Sequence, residues 1–199
     1  MTKQMKHFSE ITPAAERIVD AAESLIRSVG YNGFSYEDVS RMVGIRKPSV
    51  HHHFPTKGEL GVIVVQRYTH RFAERLEEIV RRHATAAGRL QAYCDLFSET
   101  FADGRSLCIC GMLGAESNAI PDVVHVEVRR FFEHNAAWLV DVLKQGAQAG
   151  EIKLTCPPEM LADFLLSALE GSMLLGRGRQ IDQGPQHVAE VFLASLQQK

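Results

Sequence analysis

Apolar residues recur along this chain at intervals of three and four, the spacing that lines one face of an α-helix. Ile18, Ala22, Leu25 and Val29 form the first such stripe. Thr12 stands before it as an N-cap, Pro13 takes the first helical position and Gly30 supplies the stop. A second helix is predicted over Tyr36–Val43. Ser35 and Asp38 have capping-box spacing, Phe34 and Val39 can staple the entry, and Gly44 ends it. A third short helix runs from about Lys47 to Phe54, with Pro48 tolerated because it lies in the first turn. Pro55 interrupts, and a long helix follows from near Lys57 to about His83.

Helical spacing continues to the end, over about 87–102, 109–119, 122–148, 158–177 and 185–197. Asp103-Gly104, Pro121, Gly150 to Pro158, and Asp182 to Pro185 break it. No alternating run is long enough for a sheet strand. The prediction is an all-α chain: a three-helix head, a connecting helix and a helical-bundle body. Residues 1–12 read as a flexible polar arm carrying Lys3, Lys6 and His7.

Composition narrows the class. The chain has 199 residues, 45% hydrophobic and 23% charged, which suits a packed core and excludes a disordered chain. Four cysteines in this length do not suggest a disulfide scaffold. The polar N-terminus carries no apolar signal segment, and the apolar runs fall far short of the ~20 residues of a membrane span. A cytoplasmic protein with reduced thiols and no membrane partner is expected.

The net charge of −2 excludes a protein coated in basic residues, so any nucleic-acid footprint must be local. Residues 1–60 hold eight Lys or Arg against seven Asp or Glu, yet Arg41 to Lys57 holds four basic residues and no acidic one. Two short helices meeting at Gly44, with Val39, Val43, Ile45, Val50 and Phe54 as a shared core, make a helix-turn-helix. The stretch SYEDVSRMVGIRKPSVHHHFPTKGEL, Ser35 to Leu60, resembles the signature of the TetR (tetracycline repressor) family, and the likeness extends over about 13–62.

That resemblance implies a helix-turn-helix DNA-binding domain at 1–56 and a ligand-binding and dimerisation domain at 57–199. It implies that Ser35 caps its helix and touches phosphate, and that Arg46, Lys47 and Ser49 face the groove and its edge. It places His51 where the family has a phosphate-contacting Tyr, His53 before the core Phe54, and Lys57 on phosphate from the start of the fourth helix. Arg46 and His51 depart from the family's usual Ser/Thr and Tyr. The three adjacent histidines His51, His52 and His53 point about 100° apart on a helix and cannot share one metal ion. No metal or cofactor is expected.

For the body, the resemblance implies a homodimer through the last two helices. The stripes Leu161, Leu165, Ala168, Ser172, Leu175 and Val188, Val191, Phe192, Leu196 can serve that interface or the monomer's own core. A ligand site for a small apolar or aromatic effector is expected among Tyr68, Phe72, Tyr93, Phe97, Phe101, Cys108, Met112, Phe131, His134 and Trp138, with His134, Asn135 or Glu116 as polar anchors. The partners expected are therefore double-stranded operator DNA and a small-molecule effector, for a regulator read as a repressor and not an enzyme.

Cys108 and Cys110 can be two small packed core residues, and they leave two further alternatives. Cys108 lies near a predicted helix N-terminus, which favours thiolate. The stretch LCICGMLGAESNAIPD also resembles a TetR branch with a Cys at the start of the sixth helix, some of whose members respond to electrophiles or oxidants. One alternative is thus a thiol-based redox or electrophile sensor acting through Cys108. The other is an enzyme with Cys108 as nucleophile and His125 or His134 as base.

Overall fold

The computed structural model describes residues 7–196, so Lys3, Lys6 and the predicted end of the last helix at 197 lie outside the described residues. Among the described residues there are nine α-helices and no strand: α1 Pro13–Val29, α2 Tyr36–Val43, α3 Lys47–His53, α4 Lys57–Arg82, α5 Ala86–Ala102, α6 Ile109–Ala115, α7 Asp122–Gln148, α8 Pro158–Arg179 and α9 Gly184–Ser195. The all-α prediction holds. No helix among the described residues is long and apolar enough to cross a membrane. Part of the expected flexible arm is a short 3-10 turn, Phe8–Glu10, capped by His7, and the Phe8 ring lies 4.9 Å from that of His70.

The chain divides into two compact units. One comprises the residues up to Phe72 with Ile109–Phe131, the other Ala73–Cys108 with the residues from Phe132 onward. These units cut the chain differently from the division expected at residue 56, because α6 and the start of α7 group with the head.

In the first unit α1 packs on α2 and α6, and α2 packs on α3. Ile18, Val19, Ala22 and Ile26 of α1 are fully buried, whereas Val29, where the chain turns away at Gly30, is 53% exposed. Glu23 of α1 is also buried. Its carboxylate accepts from Arg27 at 3.1 Å, Arg67 at 2.9 Å and Arg71 at 2.5 Å, and Arg67 also meets Asp20 at 2.7 Å. Burial alone would raise the Glu23 pKa. The Arg71 charge and the hydrogen bonds from Arg67 and Arg71 outweigh it and hold the carboxyl below its ordinary value. This cluster joins α1 to α4.

The helix predicted over 109–119 ends early, at Ala115, and continues as a 3-10 turn at Ser117–Ala119. The Glu116 N–H bonds back only three residues, to the Leu113 carbonyl. The Glu116 carboxylate accepts from the Asn32 main-chain N–H at 3.0 Å and from Asn32 Nδ2 at 2.7 Å. Glu116, expected as a ligand anchor, therefore holds the loop between α1 and α2.

In the second unit α5 and α8 pack on α9 and on each other. One close approach is at Gly176, where a Cβ would fall 2.6 Å from Phe101 Cζ. Phe101, 1% exposed, fills that gap as a packing residue.

Candidate functional site

Residues 35–57 build a helix-turn-helix whose local geometry follows from its sequence. Ser35 caps α2: its main-chain N–H and its hydroxyl donate to Asp38 Oδ2 at 2.8 and 2.7 Å, and its Oγ accepts from the Asp38 N–H at 3.4 Å. The side-chain and main-chain hydrogen bonds from Ser35 lower the Asp38 pKa. Gly44 terminates α2 at φ 75°, a left-handed position that a side chain would strain, and its N–H closes on the Ser40 carbonyl at 3.0 Å. Arg17 of α1 braces the same corner by donating to the Val43 carbonyl at 2.7 Å.

α3 is anchored on one side only. Val50 and Phe54 are buried, as are Val39 and Tyr36 of α2, while Val43 and Ile45 are half-buried. The buried Tyr36 hydroxyl donates to the Phe54 carbonyl at 2.8 Å. Burial pushes the Tyr36 pKa above its ordinary value. Arg46, Lys47, Ser49, His51 and His52 are all exposed. Arg46 occupies the N-cap position without a side-chain capping bond. The His51 ring stands edge-on to Tyr36 at 4.6 Å, and His53 is half-buried. Thus Arg46, Lys47, Ser49 and His51 are all open to solvent, His53 is half-buried, and Ser35 is exposed at the α2 cap.

Lys57 opens α4 and is bound within the head. Its ammonium is half-buried and donates to the carbonyls of Tyr31 and Phe34, both at 2.5 Å, over the two rings at 4.6 and 4.1 Å. Burial lowers its pKa, with Glu116 and Asp38 opposing. Two main-chain acceptors engage this ammonium, so Lys57 ties α4 to the α1–α2 loop. Lys57→Met is expected to destabilise the protein by about 2–3 kcal/mol, since it strands two carbonyls, while leaving the salt dependence of DNA binding unchanged. Denaturant unfolding and a salt titration check both halves. A lower salt slope with unaltered stability would restore the phosphate role.

Known proteins match this arrangement along nearly the whole chain. Residues 18–61 match the model described as bacterial regulatory proteins, tetR family, and residues 86–192 match that of the tetracyclin repressor-like C-terminal domain. The chain belongs to the TetR family. As a member it is a DNA-binding transcriptional regulator. It is 27% identical over 191 residues to the HTH-type transcriptional repressor DhaR of Mycobacterium sp. strain GP1, covering 94% of this chain and 96% of that one. A TetR-family regulator from Agrobacterium tumefaciens has a solved structure with 31% identity and a TM-score of 0.90, covering 93% of this chain and 98% of that one. Another, from Legionella pneumophila, gives 28% and 0.85, covering 94% and 100%.

The residues expected to line a TetR-type ligand site fall into two clusters. In the first unit Tyr68, Phe72 and Phe131 meet ring to ring, with centroids 5.3–6.2 Å apart, and Met112 is half-buried. In the second unit Tyr93 stacks on Trp138 at 5.4 Å and tilts against Phe97 at 5.4 Å. His134 is exposed on α7, and its neighbour Asn135, about 100° further round the helix, is fully buried and accepts from the Tyr93 hydroxyl at 3.0 Å.

Cys108 and Cys110 are buried at 2% and 0% exposure. Sequence reading did not single out Glu170 of α8. Its side chain is hydrogen-bonded to Cys108, and burial raises its pKa well above the ordinary carboxylate range. A signal existed: Glu170 lies four residues after Leu166 and three before Met173, both buried. Among the described residues no group of three His, Cys, Asp or Glu could hold a metal ion.

Proposed function

We propose that this TetR-family regulator is a repressor: a homodimer sets two copies of α3 into the major groove of an inverted-repeat operator and leaves it when a small apolar or aromatic effector binds. The observation that carries the reading is the one-sided anchoring of α3. Val50 and Phe54 are buried while Arg46, Lys47, Ser49 and His51 face outward without an acidic residue among them. Cationic side chains give affinity for phosphate, and the short polar ones between them reach groove edges. Ser35 and His53 flank this row. The similarity to a repressor, DhaR, supports the sign of regulation.

In this reading residues 1–56 serve DNA binding and 57–199 serve effector binding and dimerisation. Support for a dimer through α8 and α9 comes from their exposed apolar residues: Met160, Phe164, Leu174, Leu175 and Val191 are each at least 60% exposed. Leu161, Leu165, Phe192 and Leu196 of the predicted stripes face the protein's own core instead. Such a patch is the mark of an interface, and one two-fold axis would cover both copies.

The effector site is placed in the second unit, with Tyr93, Phe97 and Trp138 and with Cys108 and the packed Phe101, while Tyr68, Phe72, Phe131 and Met112 belong to the first unit. The sensor-thiol reading needs an accessible Cys108, and its burial counts against that. The enzyme reading needs a histidine on Cys108, and both His125 and His134 are exposed while Cys108 is buried.

The test is selection of bound duplexes from a random pool by the purified protein. We expect an inverted repeat with half-sites about one helical turn apart. A pool that shows no enrichment, or a single unrepeated site, contradicts the proposal.

A further inference from the structure

Glu170 poses a specific chemical problem. Its Oε1 is shut away from solvent and has no hydrogen-bond partner. An unpaired buried acceptor is unfavourable, and where one persists a bound molecule that donates to it is a physical explanation. The surroundings define what kind of donor fits. The Glu170 side chain is hydrogen-bonded to Cys108, itself 2% exposed, and the influences on its carboxyl are burial and Cys108, with no cation among them. Tyr93, fully buried on α5, feels both Glu170 and Cys108, and its hydroxyl is committed to Asn135 at 3.0 Å. The ring of Tyr93 lies against Trp138 and Phe97.

We propose that Glu170, with Cys108 and Tyr93, forms the polar end of a buried site for a small, largely apolar molecule carrying one uncharged hydrogen-bond donor, a hydroxyl of the alcohol or phenol class. The site rests on the effector reading above and gives it a chemistry. Burial and the neighbouring Cys108 both favour the neutral form of the Glu170 carboxyl, and no cation adjoins the cluster of acid, thiol, phenol and amide to offset a charge there. An anionic ligand would face an acceptor oxygen with no cation to hold it. An ammonium would require the acid to ionise where burial opposes ionisation. A hydroxyl donates to Oε1 without either penalty, and the rings of Trp138 and Phe97 offer apolar contact to the rest of the molecule.

Trp138 is the single tryptophan of the chain, so its fluorescence reports on this cluster directly. Three probes of one shape separate the possibilities: para-ethylphenol, ethylbenzene and phenylethylammonium. In the unaltered protein we expect para-ethylphenol to bind at least about tenfold more tightly than ethylbenzene, because only the phenol satisfies the buried acceptor. Glu170→Gln keeps a carbonyl acceptor and preserves that ratio. Glu170→Met removes the acceptor and brings the ratio to about one, with circular dichroism checking that both variants are folded. Equal binding of phenol and ethylbenzene overturns the proposal, as does a ratio unchanged in Glu170→Met. So does a preference for the ammonium that Glu170→Gln abolishes. Failure of all three probes to bind also overturns it, and release of the operator by some other small molecule would then show that the effector reading survives without this site.

Discussion

Replacing Arg46 and Lys47 together with alanine is expected to weaken operator binding at least about 100-fold and to flatten its dependence on salt. The two side chains are exposed at the start of α3, and neither contributes to the buried side formed by Val50 and Phe54. Their removal should leave the unfolding midpoint close to its original value, since surface substitutions away from packing change stability by about 0.5 kcal/mol or less. Each phosphate contact contributes about 0.9 to the slope of log K against log salt, so two contacts per head and two heads predict a slope smaller by about 3–4. Charge-assisted hydrogen bonds are each worth about 1.5–3 kcal/mol, which makes 100-fold the modest end of the expected loss. Fluorescence anisotropy on a selected operator across a salt series measures both quantities. Lys57→Met is the contrasting variant. A drop in affinity with an unchanged slope for Arg46→Ala/Lys47→Ala would mean that these cations do not meet phosphate.

The second large effect is expected from the outward face of α8 and α9. Leu175→Glu with Val191→Glu places charges on two residues that are 64% and 70% exposed in the isolated chain. Nothing in the protomer's own core is disturbed, so each protomer should remain folded. In a dimer those charges would be buried without partners, which is strongly unfavourable. The protein should then run as a protomer in size-exclusion chromatography with light scattering. Operator affinity should fall by a factor of about 100 or more, because the second head no longer binds at the high effective concentration that linkage provides. Continued dimerisation in this variant would move the interface elsewhere.

The outcome at individual residues shows what one sequence can disclose. The head was legible because its signals are local. Thr12, Ser35, Gly30 and Gly44 act within one helical turn, and the resulting boundaries of α1 to α3 agree closely with prediction. Cap chemistry and 3.6-residue spacing need no knowledge of distant partners. Long-range partners were not legible. Lys57 meets carbonyls 23 and 26 residues away, and Glu116 meets Asn32 across 84 residues. No spacing rule connects such pairs. Both side chains looked available for a ligand because their charge was visible and their acceptors or donors were not.

Helical phase explains the remaining differences. His134 and Asn135 are neighbours in sequence, yet one is exposed and the other fully buried. Phe131 and Leu139, four residues to either side of Asn135 and both fully buried, marked the buried face of α7. Similar spacing marked Glu170, a half-buried residue whose Oε1 is shut from solvent. In α8 the apolar residues nearly encircle the helix, so periodicity alone could not divide Leu161 and Leu165, which face inward, from Phe164 and Leu175, which face outward.

The mass of the protein–DNA complex tests the central claim most directly. Sedimentation velocity with a labelled duplex carrying one selected inverted repeat should give two protomers per duplex at low salt, with the complex dissociating as salt rises. A complex holding one protomer, or no complex with any duplex even at low salt, would contradict a paired, cationic α3 as the element that engages DNA.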